Sequence, residues 1–241
     1  MKNEDFLNKC CNDVNINLTK DMQSNLMKYM KFLLDYNEHT NLTSITDEKE
    51  IILKHFVDSI SPILNKNLNL SGNIIDIGTG AGFPGIPLAI VLPNTKFVLL
   101  DSLTKRTNFL NELIQFLNLK NVEIVNGRSE TIAHDKKYRD SFDFAVSRAV
   151  APLNKLLEIS MCFVKPYGKF ISYKSKNVKI EIDEAKNTFL ALNSELFEIF
   201  YYNLSNADNI DRNLVIVNKF STSPSEYPRK PNKIKNSPIF W

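Results

Sequence analysis

Four of the chain's seven glycines, Gly78, Gly80, Gly82 and Gly85, fall close together in the stretch NIIDIGTGAGFPGIPLAIVL, and nothing else in the sequence restricts the fold as much. The run from Ile74 to Ile77 is short and mostly β-branched, as in a strand buried on both faces of a parallel sheet. Glycines at 78, 80 and 82 permit positive φ and place no Cβ between the backbone and a ligand. Pro84 then pre-sets φ for a helix start, Ile86, Leu88, Ala89, Ile90 and Leu92 supply an apolar helix, and Pro93 ends it. The expected unit is a strand, a tight turn and a helix, with a ligand at the turn. A dinucleotide fingerprint fails because Phe83 stands where the last glycine of that template belongs, and a Walker loop fails because no Lys-Ser or Lys-Thr pair follows the glycines.

What remains is an acid, Asp76, two residues before a G-x-G-x-G turn at Gly78, Gly80 and Gly82. This resembles the first motif of the Rossmann-like S-adenosylmethionine-dependent methyltransferases. That donor has no phosphates, so the turn need only clear its methionine and ribose parts, while the Asp76 carboxylate is expected to face its ammonium end.

From Asn73 onward, strands and helices alternate with short connections, the signature of a parallel sheet covered on both faces. The strands read Ile74 to Ile77, Lys96 to Leu100, Val122 to Val125, Phe142 to Ser147, Phe170 to Tyr173, Phe197 to Tyr202 and Leu214 to Val217, with Lys165-Pro166-Tyr167-Gly168 as a turn before the fifth. The expected fold class is α/β: a Rossmann-like, seven-stranded, mostly parallel sheet with helices on both faces. Ahead of it, Phe6, Leu7, Cys10, Cys11 and Val14, then Met22, Leu26, Tyr29, Met30 and Leu33, repeat at helical spacing, the second set after a cap at Thr19. Asp47 with Glu50 reads as a capping box opening a further helix. Three parts are expected: an N-terminal helical extension packed on the sheet over 1–70, the methyltransferase domain over 71–220, and a basic Pro/Lys arm over 221–241.

The net charge is only +3, too small by itself to imply a nucleic-acid partner, so that case rests on where the cations sit. Three cysteines form no C-x-x-C and three histidines stand far apart, so neither metal nor disulfide is expected. No long apolar stretch or signal peptide is present, which points to the cytoplasm and away from membranes.

Ligands of an open α/β sheet bind beyond the carboxyl ends of its strands. Asp101 ends strand two, either to accept from ribose hydroxyls or to cap the following helix. Phe83 either lies against the ligand or packs under the helix. Arg128, Ser129 and Glu130 follow strand three, where backbone groups could read the edge of adenine. Arg148, at the tip of strand four after buried-strand residues, needs an anion, whether from the acceptor or from a structural ion pair. His55 and Asp58 either tie helix to neighbour or touch substrate. Between Glu158 and Glu181 there is no acid but there are Lys165, Lys169, Lys174, Lys176 and Lys179. With Arg128, Arg148, Arg212, Arg229 and Lys230, these suggest a basic rim and a polyanionic acceptor.

The segments NLTSI, DIGTGAGFPGIPLAI, LLDSLTKRTNFL, SRAVAPL and YPRKP, spread from about Tyr29 to the C-terminus, resemble one family. It is that of the bacterial 16S ribosomal RNA guanine-N7 methyltransferases, small-subunit methyltransferase G, once called glucose-inhibited division protein B. The resemblance implies S-adenosylmethionine as methyl donor, N7 of one guanine in small-subunit RNA as acceptor, and donor contacts at Gly78, Phe83, Ser129, Glu130 and Arg148. Added to Asp76, Gly80 and Asp101, these make the expected donor site. Arg148 is expected to position the acceptor, and Arg128, Lys174, Arg212, Arg229 and Lys230 to hold RNA. The partner is then 16S ribosomal RNA or a small-subunit ribonucleoprotein, met by a monomer. A small-molecule methyltransferase and an RNA-binding assembly factor that keeps a donor pocket are the competing readings.

Overall fold

In the computed structural model, which describes residues 1–175, 178–204 and 212–239, seven strands form one sheet in the order β3-β2-β1-β4-β5-β7-β6. The strands are β1 (Asn73–Ile77), β2 (Lys96–Asp101), β3 (Val122–Asn126), β4 (Phe142–Arg148), β5 (Val164–Lys174), β6 (Ser194–Tyr202) and β7 (Arg212–Lys219). All neighbours run parallel except β7, which is antiparallel to both β5 and β6. From β1 the chain winds outward through β2 and β3, then returns to lay β4 on β1's other side. The crevice beyond the carboxyl ends of β1 and β4 is thus the switch point at which such sheets bind ligands.

Side chains alternate along each strand and divide the core into two layers. Ile74, Leu99, Phe144, Val146, Ile171 and Ile216 face one way, with α1 (Asn3–Asp13), α2 (Lys20–Thr40), α5 (Gly85–Val91) and α6 (Thr104–Phe116) over them. Ile75, Ile77, Leu100, Ala145, Phe170 and Val215 face the other, beneath α8 (Leu153–Ser160) and its neighbours. The expected Thr19 cap is present, its hydroxyl accepting from the Met22 amide at 3.3 Å. Leu26, Tyr29, Met30 and Leu33 of α2 are buried, the spacing that turns one helix face to the sheet.

Between α2 and β1, a helical run starts with α3 (Glu48–Glu50), where Asp47 accepts from the Glu50 amide at 2.9 Å. It continues as a π-helix over Ile51–Val57 and closes as α4 (Asp58–Ile60), then a 3-10 turn at Ser61–Leu64. The wide π turns lie next to the switch point, a placement π segments often share with functional sites.

Two features differ from the sequence reading. Lys165–Gly168 do not precede β5 but lie within it: Phe142 pairs with Val164 and Phe144 with Lys169, so these residues form an irregularity in the ladder, with Tyr167 at φ +68°. The stretch after 220 is bound to the body. Arg139 donates to the carbonyls of Ser223, Pro224 and Tyr227, and the fully buried Glu158 accepts from the amide and guanidinium of Arg229. The segment is completed by α11 (Pro231–Asn236), with α7 (Ser129–Ile132), α9 (Val178–Glu184) and α10 (Lys186–Ala191) covering the rest of the second layer.

Candidate active site at the carboxyl ends of the strands

A cavity of about 340 Å³ opens where the switch point requires it, lined by Gly78, Asp101, Arg128, Ser129 and Glu130 among polar or glycine positions and by Ile77, Leu100, Val150 and Ile159 among apolar ones. Another cleft of about 350 Å³, between Lys96, Lys120 and Lys137, lies at the amino ends of β1 to β3, away from every residue with chemistry to offer the turn. We therefore take the first as the site.

The glycines have divided roles. Gly78 (φ +69°) borders the cavity, and a Cβ on it would stand 2.7 Å from a methyl of Val150, two residues beyond the end of β4. Gly80 (φ +62°) faces open space, and its amide donates to Asp101 at 2.9 Å. Gly82 and Gly85 serve packing: added Cβ atoms would meet the Tyr29 hydroxyl at 3.0 Å and a Leu99 methyl at 2.1 Å. Of the four, Gly78 alone borders the cavity, so backbone clearance there rests on it, and the direct donor contact expected of Gly80 gives way to its hydrogen bond with Asp101.

Asp101 combines local hydrogen bonding with a place on the cavity wall. It is buried yet borders the cavity, accepting from the Leu103 amide at 2.9 Å as a local turn cap and from Arg106 at 3.3 Å. Its contacts fix the carboxylate at the end of β2, beside Ser102.

Asp76 differs from expectation. Its carboxyl is fully buried and is not part of the cavity lining; one oxygen accepts from the Thr79 hydroxyl at 2.6 Å and the Gly85 amide at 2.8 Å, and the other has no partner among the described residues. Its hydrogen bonds tie both ends of the glycine turn together. Burial pushes its pKa up to about 7, against the Thr79 and Gly85 hydrogen bonds that favour the anion. The unfolded chain releases this proton near 3.8 and the native chain near 7, so the group's contribution to stability declines as pH rises from about 4 to 7. Asp76→Asn, which mimics the protonated acid, is expected to flatten that part of the melting temperature's pH dependence. Asp76→Ala should cost ~1–3 kcal/mol by orphaning the Gly85 amide and Thr79 hydroxyl. An unaltered pH profile in Asp76→Asn would show that the native carboxyl is ionised throughout.

Phe83 also lies outside the lining. It is buried between Tyr29 (5.2 Å between centroids, stacked), Phe56 and His55 (4.4 Å, stacked), with the Arg148 guanidinium 5.2 Å from its centre. The packing alternative holds for it: the aromatic joins the glycine turn to α2 and the π-helix, as does the Tyr29 hydroxyl, which donates to the Ala81 carbonyl at 2.5 Å.

Arg148 is the centre of this junction. One terminal nitrogen donates to Asp58 at 2.9 Å and to the Lys54 carbonyl at 3.2 Å, and the other contacts His55 Nδ1 at 3.3 Å. Arg148 carries N–H on both sides, so Nδ1 must accept, and the proton of a neutral imidazole sits on Nε2, against the Thr43 hydroxyl at 3.1 Å. Burial, reinforced by the Arg148 charge, pushes the His55 pKa down to about 3. Of the two readings of Arg148, the structure shows the ion pair; the residue is not itself part of the cavity lining, although Ala149 and Val150, which follow it in the chain, are. The first of the two readings of His55 and Asp58 is what the structure shows: both tie their helical run to a neighbour, and their i, i+3 spacing was the available sign that this neighbour is one residue, Arg148.

The basic residues separate into two groups. Arg128 and Lys230 are exposed. Lys174 is half-buried and donates to Glu181 and the Ala151 carbonyl, Arg212 lies 3.6 Å from Asp58, and Arg229 is paired with Glu158. For Lys174 and Arg229 the expected RNA role gives way to an internal one: Glu158 and Glu181, the acids that bracket the lysine run, neutralise them. Lys176 lies outside the described residues. Among the described residues no cluster of His, Cys, Asp or Glu could hold a metal ion, and no helix is long and apolar enough to cross a membrane.

With this geometry in place, residues 22–218 match the GidB family, described as rRNA small subunit methyltransferase G. The chain belongs to that family. A ribosomal RNA small subunit methyltransferase G from Alkaliphilus oremlandii is 42% identical over 239 residues, covering 99% of this chain and 100% of that one. The protein of the same description from Thermoanaerobacter sp. is 45% identical over 212 residues, 88% of each chain. Among solved structures, MtNAS in complex with MTA and tNA has a TM-score of 0.54 at 13% identity, over 80% of this chain and 73% of that one, a likeness of fold alone. The protein is accordingly an S-adenosylmethionine-dependent methyltransferase of small-subunit ribosomal RNA.

Proposed function

We propose that the protein transfers the methyl group of S-adenosylmethionine to N7 of one guanine in 16S ribosomal RNA, acting in the cytoplasm as a monomer. The single observation that carries this reading is the cavity at the switch point, bordered by Gly78, Asp101, Ser129 and Glu130, with Arg148 held by Asp58 at the end of the adjoining strand β4. The residues present fit the donor. Asp101 offers a carboxylate to ribose hydroxyls, Ser129 and Glu130 offer backbone groups to the adenine edge, and Leu100 and Ile159 supply apolar walls. Asp76 and Gly80 act behind this surface, holding the turn in shape, and Phe83 supports it from the helical side. In domain terms, 71–220 supply the donor site, the helices of 1–70 buttress it, and 221–241 form a strapped terminal segment with Lys230 at its surface.

When bound, the donor supplies a methyl group on a sulfonium. Guanine N7 attacks with an in-plane lone pair that carries no proton at neutral pH, so no general base is needed. The protein's work is to align N7, the methyl carbon and sulfur at near-attack distance. The purine gains positive charge during transfer, so cations should grip O6 or phosphate and keep off the ring. The neutral imidazole of His55 suits that requirement, adding no charge near the acceptor. Arg148 positions the acceptor, and Arg128, Lys230 and the partly shielded Arg212 are the phosphate contacts.

Transfer of a tritiated methyl group into small-subunit RNA tests the reading. Labelled 7-methylguanosine in the digest is the expected product; label in no RNA fraction would overturn it. RNA affinity should also fall steeply with salt, with Arg128→Ala and Lys230→Ala each shallowing the log–log slope by somewhat under one unit. Arg229→Ala should leave the slope unchanged, because its charge is spent on Glu158. Equal slopes for all variants and the parent would remove Arg128 and Lys230 from the interface.

A further inference from the structure

The residues around Arg148 form a network larger than an arginine of purely structural use requires. Asp58 is 4% exposed and has three partners: it accepts from Arg148 on one oxygen and from the Tyr202 hydroxyl at 2.8 Å on the other, which also lies 3.6 Å from Arg212 as an ion pair. Those partners come from β4, β6 and β7, so one carboxylate at the start of α4 joins the tips of three strands to the helical run that precedes the sheet. Beside it, the Tyr173 hydroxyl donates to the Ser59 carbonyl at 2.5 Å, and Tyr173 is the cross-strand partner of Arg148. The anchor is therefore itself anchored.

A guanidinium has five N–H donors in a rigid plane. Asp58, the Lys54 carbonyl and His55 take three of those on Arg148, and Phe83 lies against the guanidinium. Nε–H and the second Nη2 hydrogen have no partner among the described residues, and Arg148 retains 14% of its side-chain exposure. Such a group is fixed along one edge and open along the other, which is how a planar donor is aimed.

We propose that Asp58 is the positioning residue of the methyl-transfer step: it holds Arg148 so that its two open N–H groups point to the acceptor at the tip of β4. The proposal rests on the reading of Arg148 as the acceptor-positioning group, and the test separates the two. Asp58 touches neither donor nor acceptor and acts only through the arginine.

Single-turnover rates at saturating donor and RNA, with donor affinity, the RNA concentration for half-maximal rate and melting temperature, are to be measured for Asp58→Asn, Arg148→Ala and the double variant. Asp58→Asn should slow the saturated step by about tenfold or more, with donor affinity and half-saturating RNA within about twofold, and should slow Arg148→Ala no further. Should Asp58→Asn fold poorly, Tyr202→Phe keeps the carboxylate and removes one restraint; a loss of about two- to fivefold in the saturated rate is expected, absent in the Arg148→Ala background. A saturated rate at the parental level in folded Asp58→Asn, with Arg148→Ala slowed, would reduce Asp58 to a tie between helix and sheet. Multiplying losses in the double variant would also overturn the proposal, since Asp58 would act by another route. A full rate in Arg148→Ala would instead sink the reading of Arg148 itself.

Discussion

Gly78→Val is expected to weaken S-adenosylmethionine binding by at least about 100-fold, ~2.8 kcal/mol, in a chain that still folds. A side chain at this position enters the cavity, where its first carbon already stands 2.7 Å from Val150, and β-branching is unsuited to a φ of +69°. The strand below and the helix beyond are held by other contacts, among them the Asp76 bonds to Thr79 and Gly85, so the damage stays local. Gly80→Ala is the control: its backbone is strained likewise, at φ +62°, but the added carbon meets nothing within 4 Å. It should lose ~1–2 kcal/mol of stability and keep most of its donor affinity. Calorimetry on both variants decides the matter, and unchanged affinity in folded Gly78→Val would remove the donor from this cavity.

The second large effect is on chemistry. Arg148→Ala should cut the single-turnover rate by about 10- to 1,000-fold, each factor of ten being ~1.4 kcal/mol of transition-state stabilisation. RNA binding, distributed over several phosphate contacts, should fall much less. No ionisation of His55 should control the rate, because its pKa of about 3 lies well below the working range and N7 needs no base. His55→Ala should therefore keep most of the rate. If a step near neutrality appears, Asp76 is its source: the step should persist in His55→Ala and vanish in Asp76→Asn. A neutral pKa that disappears in His55→Ala would make His55 catalytic. Equal losses in RNA affinity and rate for Arg148→Ala would make that residue one more anchor.

Much of this arrangement could be read from local patterns. The glycine turn, the strand series and the Thr19 and Asp47 caps depend on neighbours a few residues apart, so periodicity and turn chemistry locate them. The acid at the end of β2 is likewise set by strand length. What could not be read is which distant group each side chain meets. Asp76 and Phe83 carry the right residue types for a ligand, yet the first is consumed by Thr79 and Gly85, and the second by Tyr29, Phe56 and His55. Two members of the expected basic rim are taken up in the same way. Charge is visible in a sequence and its partner is not, so Lys174 and Arg229 looked available until the fold set Glu181 and Glu158 against them. Conversely, that His55 and Asp58 tie helix to neighbour could be read, but not that the neighbour is Arg148, which the return of the chain to lay β4 beside β1 brings to both.

The most direct test is mass spectrometry of 16S ribosomal RNA from a bacterial strain lacking this protein, compared with the same strain carrying the parental or the Gly78→Val gene. One 7-methylguanosine should be missing from the deletion strain, restored by the parental gene and not by Gly78→Val. An unchanged set of 7-methylguanosines in the deletion strain, or full restoration by a Gly78→Val protein that does not bind donor, would contradict the account.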